Sequence, residues 1–324
     1  MRPFPPRERL TICFAHAAYQ LRERFLRRQL AVESFEVRTR DEFAQRIGDA
    51  DVVVVSGFWR NDLVERARRL QFIQSVSAGT EQYDRESLKA HGIRLASARG
   101  VNARAVAEHA MALILAIARK LPEARDNQAK HVWRPMISAI DRREDELDGK
   151  TLLVIGLGAI GSRLARLGKA FDMRVVGVKR DPAVGGDAAD SVHGLADLKS
   201  LLPQADFVAL TCPLTPETAK LIDGEALSRM KKTANLVNAA RGGCVDEPAL
   251  IRALQERTIA GAAIDVTAEE PLPAASPLWG FPNVLITPHS AGETQRYEDN
   301  VMDILVENLD RLWRGDSTLR NQIV

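Results

Sequence analysis

The run Thr151-Leu-Leu-Val-Ile155 leads without a break into Gly156-Leu-Gly158-Ala-Ile-Gly161, so a buried strand feeds a glycine-punctuated turn into a helix. A dinucleotide's pyrophosphate fits such a place. Gly156 allows the tight turn, Gly158 lets the backbone approach the phosphates, and Gly161 lets helix and strand pack closely. The helix N-terminus, with Ala159 and Ile160 in its first turn, adds free N–H donors and a partial positive charge. Arg174 to Val178 reads as the next strand after this helix, which is the context a lone Gly-x-Gly-x-x-Gly lacks.

A chain of 324 residues is too long for one ordinary core, and at about 100 to 200 residues per domain it divides into two. Hydrophobic residues at 45% and charged residues at 27% argue against disorder and against a membrane class, and fit an α/β enzyme. No apolar run approaches the roughly 18 residues that span a bilayer. Met1 to Leu10 breaks into prolines and charges where a signal peptide needs an apolar stretch, so a cytoplasmic location is expected. A net charge of +2 gives no electrostatic footprint for nucleic acid, and the arginine-rich stretch Leu21 to Arg28 alternates with apolar residues like a solvated helix face. Cys13, Cys212 and Cys244 have neither disulfide-frame nor zinc spacing, and no His/Asp/Glu pattern resembles a metal cage.

The first half alternates strand and helix: strands over Leu10 to Phe14, Val32 to Val37, Asp51 to Ser56, Phe72 to Val76 and Ile93 to Ala96, and helices over His16 to Arg27 and Asp62 to Leu70. No glycine fingerprint follows any of these strands, so the nucleotide is expected elsewhere. A helix over Ala103 to Lys120, apolar nearly all round, suits burial between two domains, and polar sequence follows from Pro122 to Lys150. Strands then recur at Leu152 to Ile155, Arg174 to Val178, Asp206 to Leu210, Ala234 to Asn238, Gly261 to Asp265 and Val284 to Thr287. Continuous Val/Ile/Leu/Ala strands separated by helices indicate a parallel sheet covered on both faces. Thr215, Pro216 and Glu217 read as an N-cap, an N1 proline and an acidic first turn. A final amphipathic helix, Glu298 to Leu312, is placed to return to the first domain.

Ligands of such open sheets bind outside the carboxyl ends of the strands. Three polar residues follow late strands there: Arg241 in Asn238-Ala-Ala-Arg241, Glu270 in Asp265-Val-Thr-Ala-Glu-Glu270, and His289 in Thr287-Pro-His289. A guanidinium can clamp a carboxylate at two points and polarise an adjacent carbonyl. An imidazole can exchange a proton with a hydroxyl near neutral pH, and a neighbouring carboxylate orients it. Singly each residue has a bland reading as a turn, a solvated loop or a structural histidine. Together, downstream of the glycine turn, they suit hydride transfer beside a nicotinamide.

These motifs resemble those of the D-isomer-specific 2-hydroxyacid dehydrogenases, a family that includes glyoxylate and hydroxypyruvate reductases, phosphoglycerate dehydrogenase and formate dehydrogenase. The resemblance runs from about Val76 to Gly292 and is carried by Gly156 to Gly161, Cys212-Pro-Leu-Thr-Pro-Glu-Thr218, Asn238 to Asp246, Asp265 to Pro271 and Thr287-Pro-His289. It implies that Arg241 binds the substrate's carboxylate and keto oxygen, that His289 is the acid/base, and that Glu270 is its partner. It further implies that Ala78, Gly79 and Thr80 offer backbone N–H groups to the substrate carboxylate, and that Cys212, Pro213, Ala239, Arg241, Asp265 and His289 help line the cofactor. The implied fold is α/β: two flavodoxin- or Rossmann-like domains, each a doubly wound parallel sheet, with a nucleotide domain (101–289) inserted in a substrate domain (1–100 and 290–324) and dimerisation through the nucleotide domain.

Selectivity for NAD usually rests on an acidic residue about 20 residues past the glycines. Here Lys179 and Arg180 occupy that place, two cations suited to a 2′-phosphate, so NADP is favoured; Asp181, two residues on, keeps NAD open as the alternative. His109 reads as a domain-interface histidine. Trp59 and Arg60, after the valine strand, are candidates to face substrate, and His131 and Trp133 lie in the polar connection, where an aromatic has two readings, packing or reaching a neighbouring subunit's pocket. The expected activity is NADPH-dependent reduction of a small 2-keto acid such as glyoxylate or hydroxypyruvate. The rival readings are a nucleotide-sensing binding protein of the corepressor type and a methyltransferase, and the latter leaves the ordered Arg, Glu and His unexplained.

Overall fold

The structure is a computed structural model that describes residues 3–184, 186 and 188–324. The chain forms two compact units, one reaching to Asn102 and joined by Thr294–Val324, the other Ala103–Glu293.

The first unit is built on β1 (Thr11–Ala15), β2 (Glu33–Val37), β3 (Val52–Val55), β4 (Phe72–Ser75) and β5 (Arg94–Ala96), all parallel, in the order β2-β1-β3-β4-β5. The period-2 geometry of a strand explains why its central strand is all valine. Val52 and Val54 join a core with Ile12, Phe14 and the Tyr297–Arg314 helix, whereas Val53 and Val55 join another with Cys13, Phe43 and Leu63. The Tyr297–Arg314 helix buries Val301, Ile304, Leu305 and Leu309 on this sheet. It also gives the arginine-rich stretch its partners: Arg28 meets Asp303 at 2.8 Å and Arg24 meets Asp299 at 3.7 Å.

Two expected helices of this unit are shorter than their periodicity suggested. The helix expected from His16 begins only at Leu21, because the His16 Nδ1 accepts the N–H groups of Ala18 and Tyr19 at 3.1 and 2.9 Å and closes a local turn instead. The stretch expected to be helical over Asp62 to Leu70 buries Leu63, Val64, Ala67 and Leu70, as helical spacing requires, yet forms only a 3-10 turn over Asn61–Glu65. There Gln71 donates to the Asp51 carbonyl at 2.8 Å and ties the chain to the sheet before a longer helix can run. A helix at Arg40–Arg46 went unread, although Thr39 and Glu42 form a reciprocal capping box.

The second unit holds β6 (Thr151–Ile155), β7 (Arg174–Val178), β8 (Ser191–His193), β9 (Phe207–Leu210), β10 (Asn235–Asn238), β11 (Gly261–Ile264) and β12 (Val284–Ile286). All are parallel, in the order β12-β11-β10-β9-β6-β7-β8. Leu152 and Val154 face a core shared with the Ala103–Ala118 and Ala159–Ala170 helices, and Leu153 and Ile155 face the opposite core with Leu227 and Leu250. The edge strand β8 escaped sequence reading because its three residues are only half-buried and carry no apolar run.

The Thr215-Pro216-Glu217 helix start is corrected to a single turn. The Thr218 hydroxyl donates to the Pro213 carbonyl at 2.7 Å and accepts the Thr215 N–H, so it competes with a helical ladder, and Lys220 at φ +49° ends the turn. Conversely, the polar connection contains a helix, Leu121–Ala129, started by Pro122 in its first turn and burying none of its residues. Among the described residues no helix is long and apolar enough to cross a membrane.

Candidate active site

Because the strands of the second unit run parallel, their carboxyl ends share one edge. Gly156 follows β6, and Arg241, Glu270 and His289 stand three, six and three residues beyond β10, β11 and β12, which are neighbours in the sheet.

The three glycines do different work. Gly156 lies at φ +104°, and a Cβ there would come 2.6 Å from the Cys212 backbone N. A Cβ on Gly161 would come 2.1 Å from the Gly156 carbonyl oxygen, so this helix packs onto the turn only without a side chain. Gly158, by contrast, meets nothing within 4 Å and leaves the mouth of the Ala159–Ala170 helix open. The N–H groups of Ala159, Ile160 and Gly161 find no acceptor among the described residues, and no acidic side chain stands in that first turn. Such a donor set, at a 12-residue helix, fits a dinucleotide's phosphates.

Glu270 and His289 meet directly, with His289 Nδ1 2.6 Å from Glu270 Oε2. A carboxylate only accepts, so Nδ1 carries the proton and Nε2 is left for chemistry. The other oxygen of Glu270 accepts the Thr267 N–H at 3.1 Å. The loop bearing Arg241 lies against the same segment, since a Cβ on Gly242 would sit 1.9 Å from the Thr267 carbonyl oxygen. Arg241 itself is exposed, and its guanidinium donates to the Ala240 carbonyl at 2.7 Å. The β10, β11 and β12 loops therefore form one contiguous cluster. The His289 side chain is half exposed, which lets it exchange protons with solvent.

The second unit matches the family model "D-isomer specific 2-hydroxyacid dehydrogenase, NAD binding domain" over residues 111–291. The chain belongs to this family. It is 38% identical over 283 residues to a D-3-phosphoglycerate dehydrogenase of Methanocaldococcus jannaschii, covering 86% of this chain and 52% of that protein. It is 35% identical over 300 residues to a glyoxylate/hydroxypyruvate reductase B of Yersinia enterocolitica, covering 90% and 91%. Among solved structures, a D-isomer specific 2-hydroxyacid dehydrogenase family protein of Aeromonas salmonicida superposes with a TM-score of 0.84 at 29% identity, covering 98% of this chain and 99% of that one. The chain thus spans about half the length of the phosphoglycerate dehydrogenase and most of the reductase.

The family's loops are braced by polar residues that sequence reasoning did not single out as supports. Asn238, 1% exposed, accepts the Ala240 N–H with its side-chain oxygen and donates to the Arg241 carbonyl, shaping the exit of β10. Asp265, 3% exposed, accepts Thr287 Oγ1 at 2.6 Å and the N–H groups of Ser290 and Ala291 at 2.9 and 3.0 Å, which brackets His289. His109 bonds within its own unit, its Nε2 3.0 Å from Thr287 Oγ1. The legible signal was a polar residue at the end of an apolar strand, as at Asn238 and Asp265, or within an apolar helix, as at His109.

At the end of β7, Lys179 donates to the Val184 carbonyl, and Asp181 accepts the Ala183 N–H at 3.1 Å, closing its own turn. Arg180 is exposed near Glu217, whose carboxyl is held below its usual range chiefly by the Thr215 hydroxyl, with the Arg180 cation assisting. Pro213 contributes its carbonyl to the Thr218 turn, and Ala239 is buried against β9. Cys212 is buried; its interaction with Cys244 and its desolvation push its thiol up, while the same pairing holds Cys244 down to about 7.

In the first unit, the N–H groups of Ala78, Gly79 and Thr80 have no acceptor among the described residues. Their loop is held by Ser56, whose hydroxyl lies 2.5 Å from that of Ser77, and by Tyr83, which donates to the Val55 carbonyl at 2.8 Å. Trp59 is not free to face a ligand: it is 5% exposed, packs at a tilt against the Tyr83 ring and donates to Asn61. Arg60 is held bidentately by Asp62.

The glycines yield a separable prediction. Gly158→Ala should leave stability within about 0.5 kcal/mol of the parent, since its Cβ meets nothing, while loosening NAD(P)H binding about tenfold or more. Gly161→Ala should cost about 1–3 kcal/mol in denaturant unfolding. Unaltered nucleotide titration of the Gly158→Ala protein would show that the phosphates do not approach there.

Proposed function

We propose that the protein is an NADPH-dependent reductase of a small 2-keto acid, of the size of glyoxylate or hydroxypyruvate, yielding the D-hydroxy acid. The observation that carries this reading is the 2.6 Å contact between Glu270 and His289 at the sheet edge that also presents the glycine turn. Relatives named glyoxylate reductase and glyoxylate/hydroxypyruvate reductase support the substrate class.

When bound, the nicotinamide supplies a hydride. Arg241 holds the substrate carboxylate and draws electron density from the keto oxygen. His289 donates the Nε2 proton to that oxygen, and Glu270 keeps the ring oriented by accepting from Nδ1. In the reverse direction the unprotonated Nε2 takes the hydroxyl proton. In the first unit, the N–H groups of Ala78, Gly79 and Thr80 are donors of the kind a carboxylate accepts. In this reading the unit that includes β1–β5 is the substrate domain, and the unit with the glycine turn, including Gly156, Gly158, Ala159, Ile160 and Gly161, binds the dinucleotide.

The preference for NADPH is supported by the two cations at the end of β7 and by the turn of Asp181, whose carboxylate is engaged by Ala183 rather than left for a ribose. A homodimer is supported by the exposed apolar side chains of the polar connection: Trp133 is 98% exposed, Met136 96% and Ile140 79%.

Three measurements test this. His289→Ala and Arg241→Ala should each lower kcat for keto-acid reduction about 100-fold or more, with NADPH affinity changed only a few-fold; unchanged turnover would overturn the assignments. Lys179→Asp with Arg180→Ala should weaken NADPH far more than NADH, and an equal loss of both would favour the NAD alternative. Sedimentation should give a two-chain mass that Trp133→Glu with Met136→Glu reduces, and a one-chain mass for the parent would end the dimer proposal.

A further inference from the structure

We infer that His109 is a positioning residue for the reaction, holding the backbone that carries His289. This rests on the dehydrogenase reading above, and deepens it by assigning a task to a side chain outside the reacting set.

His109 lies on the Ala103–Ala118 helix and its side chain is largely covered. Its Nε2 stands 3.0 Å from Thr287 Oγ1 and 3.6 Å from Asp265 Oδ1. The Thr287 hydroxyl spends its only proton on Asp265 Oδ1, at 2.6 Å. Toward His109 that oxygen has only a lone pair, so His109 carries its proton on Nε2 and donates. Asp265 then takes the Ser290 and Ala291 N–H groups on its two oxygens, and its backbone carbonyl takes the His289 N–H at 2.8 Å. His289 is thus clamped on either side, by Thr287 and by Ser290 and Ala291, whose donors converge on Asp265, with His109 donating to Thr287 behind them.

The clamp has something to resist. His289 lies at φ +52°, a left-handed conformation that side chains disfavour, and its contact with Glu270 is made from that conformation. Without the His109 donor, Thr287 can turn its hydroxyl away from Asp265, and the loop gains freedom to leave the left-handed region. The flanking helix positions Val106 and Ala110 are apolar and buried in the same core as Ala263 and Ala291. A residue with only a packing task at 109 would be apolar as well.

The test uses the full chain with His109→Leu, His109→Gln, Thr287→Val and the His109→Leu/Thr287→Val double variant. Gln keeps an N–H donor at about the reach of Nε2; Leu keeps bulk and loses it. Expected for His109→Leu is a fall in kcat of about 10- to 100-fold, the scale of supporting-residue loss and of small misplacement. The substrate KM and the NADPH dissociation constant should stay within about threefold. His109→Gln should recover most of the rate, and the double variant should be little worse than the worse single one. Amide hydrogen exchange at Ser290 and Ala291 should quicken in His109→Leu. A kcat within about twofold of the parent, equal damage by Gln and Leu, or a loss tracking weaker NADPH binding would each overturn the inference. If the parent reduces no 2-keto acid, the dehydrogenase reading fails by itself. The exchange measurement still decides in that case, since unchanged protection of Ser290 and Ala291 in His109→Leu removes the clamp.

Discussion

A buried carboxylate is costly unless donors surround it, and at Asp265 the donors all come from one short stretch of chain. Thr287, Ser290 and Ala291 supply them, so stabilising the charge and shaping the His289 loop are the same event. These bonds hold the backbone around His289, which sits at φ +52° where its imidazole meets Glu270. Asn238 does the equivalent for the Arg241 loop one strand away. The pattern is a candidate site whose Arg241, Glu270 and His289 side chains are open to solvent while the Asn238 and Asp265 supports are buried, which combines access with a fixed geometry.

The glycine turn follows a different logic. Two of its glycines are required by crowding, one against the Cys212 backbone and one against the turn itself, and only Gly158 faces open space. Steric need and ligand need are therefore separable at neighbouring positions of one motif. The free N–H groups behind Gly158 fit an anion because the helix begins there without an acidic side chain to occupy its own donors. Cationic Lys179 and Arg180 stand at the end of the adjacent strand, where selection between two nicotinamide cofactors is decided by charge.

Much of the architecture was legible because parallel strands covered on both faces must be continuously apolar, and runs such as Val52–Val55 and Thr151–Ile155 announce themselves. Two of the departures share a cause: a side chain that bonds locally to the backbone. The His16 ring and the Thr218 hydroxyl each satisfied nearby backbone groups and cut short a helix that periodicity or capping chemistry suggested. The strand Ser191–His193 was missed for the opposite reason, since a half-exposed sheet edge needs no apolar run. Trp59 and Arg60 illustrate a further limit, because position after a strand does not reveal that a ring is buried or that a guanidinium is already held by Asp62.

By itself the sequence determined the family, the alternation of strand and helix and the glycine turn, and it marked Arg241, Glu270 and His289 as candidates, because each depends on residue type and short spacing. Tertiary structure alone decided that Glu270 touches His289, that the β10 loop packs on the segment before Glu270, and that His109 reaches Thr287 across 178 positions of chain. Those contacts are made between strand ends and a helix that become neighbours only when the sheet assembles. Spacing along the chain carries no information about distance across a sheet edge.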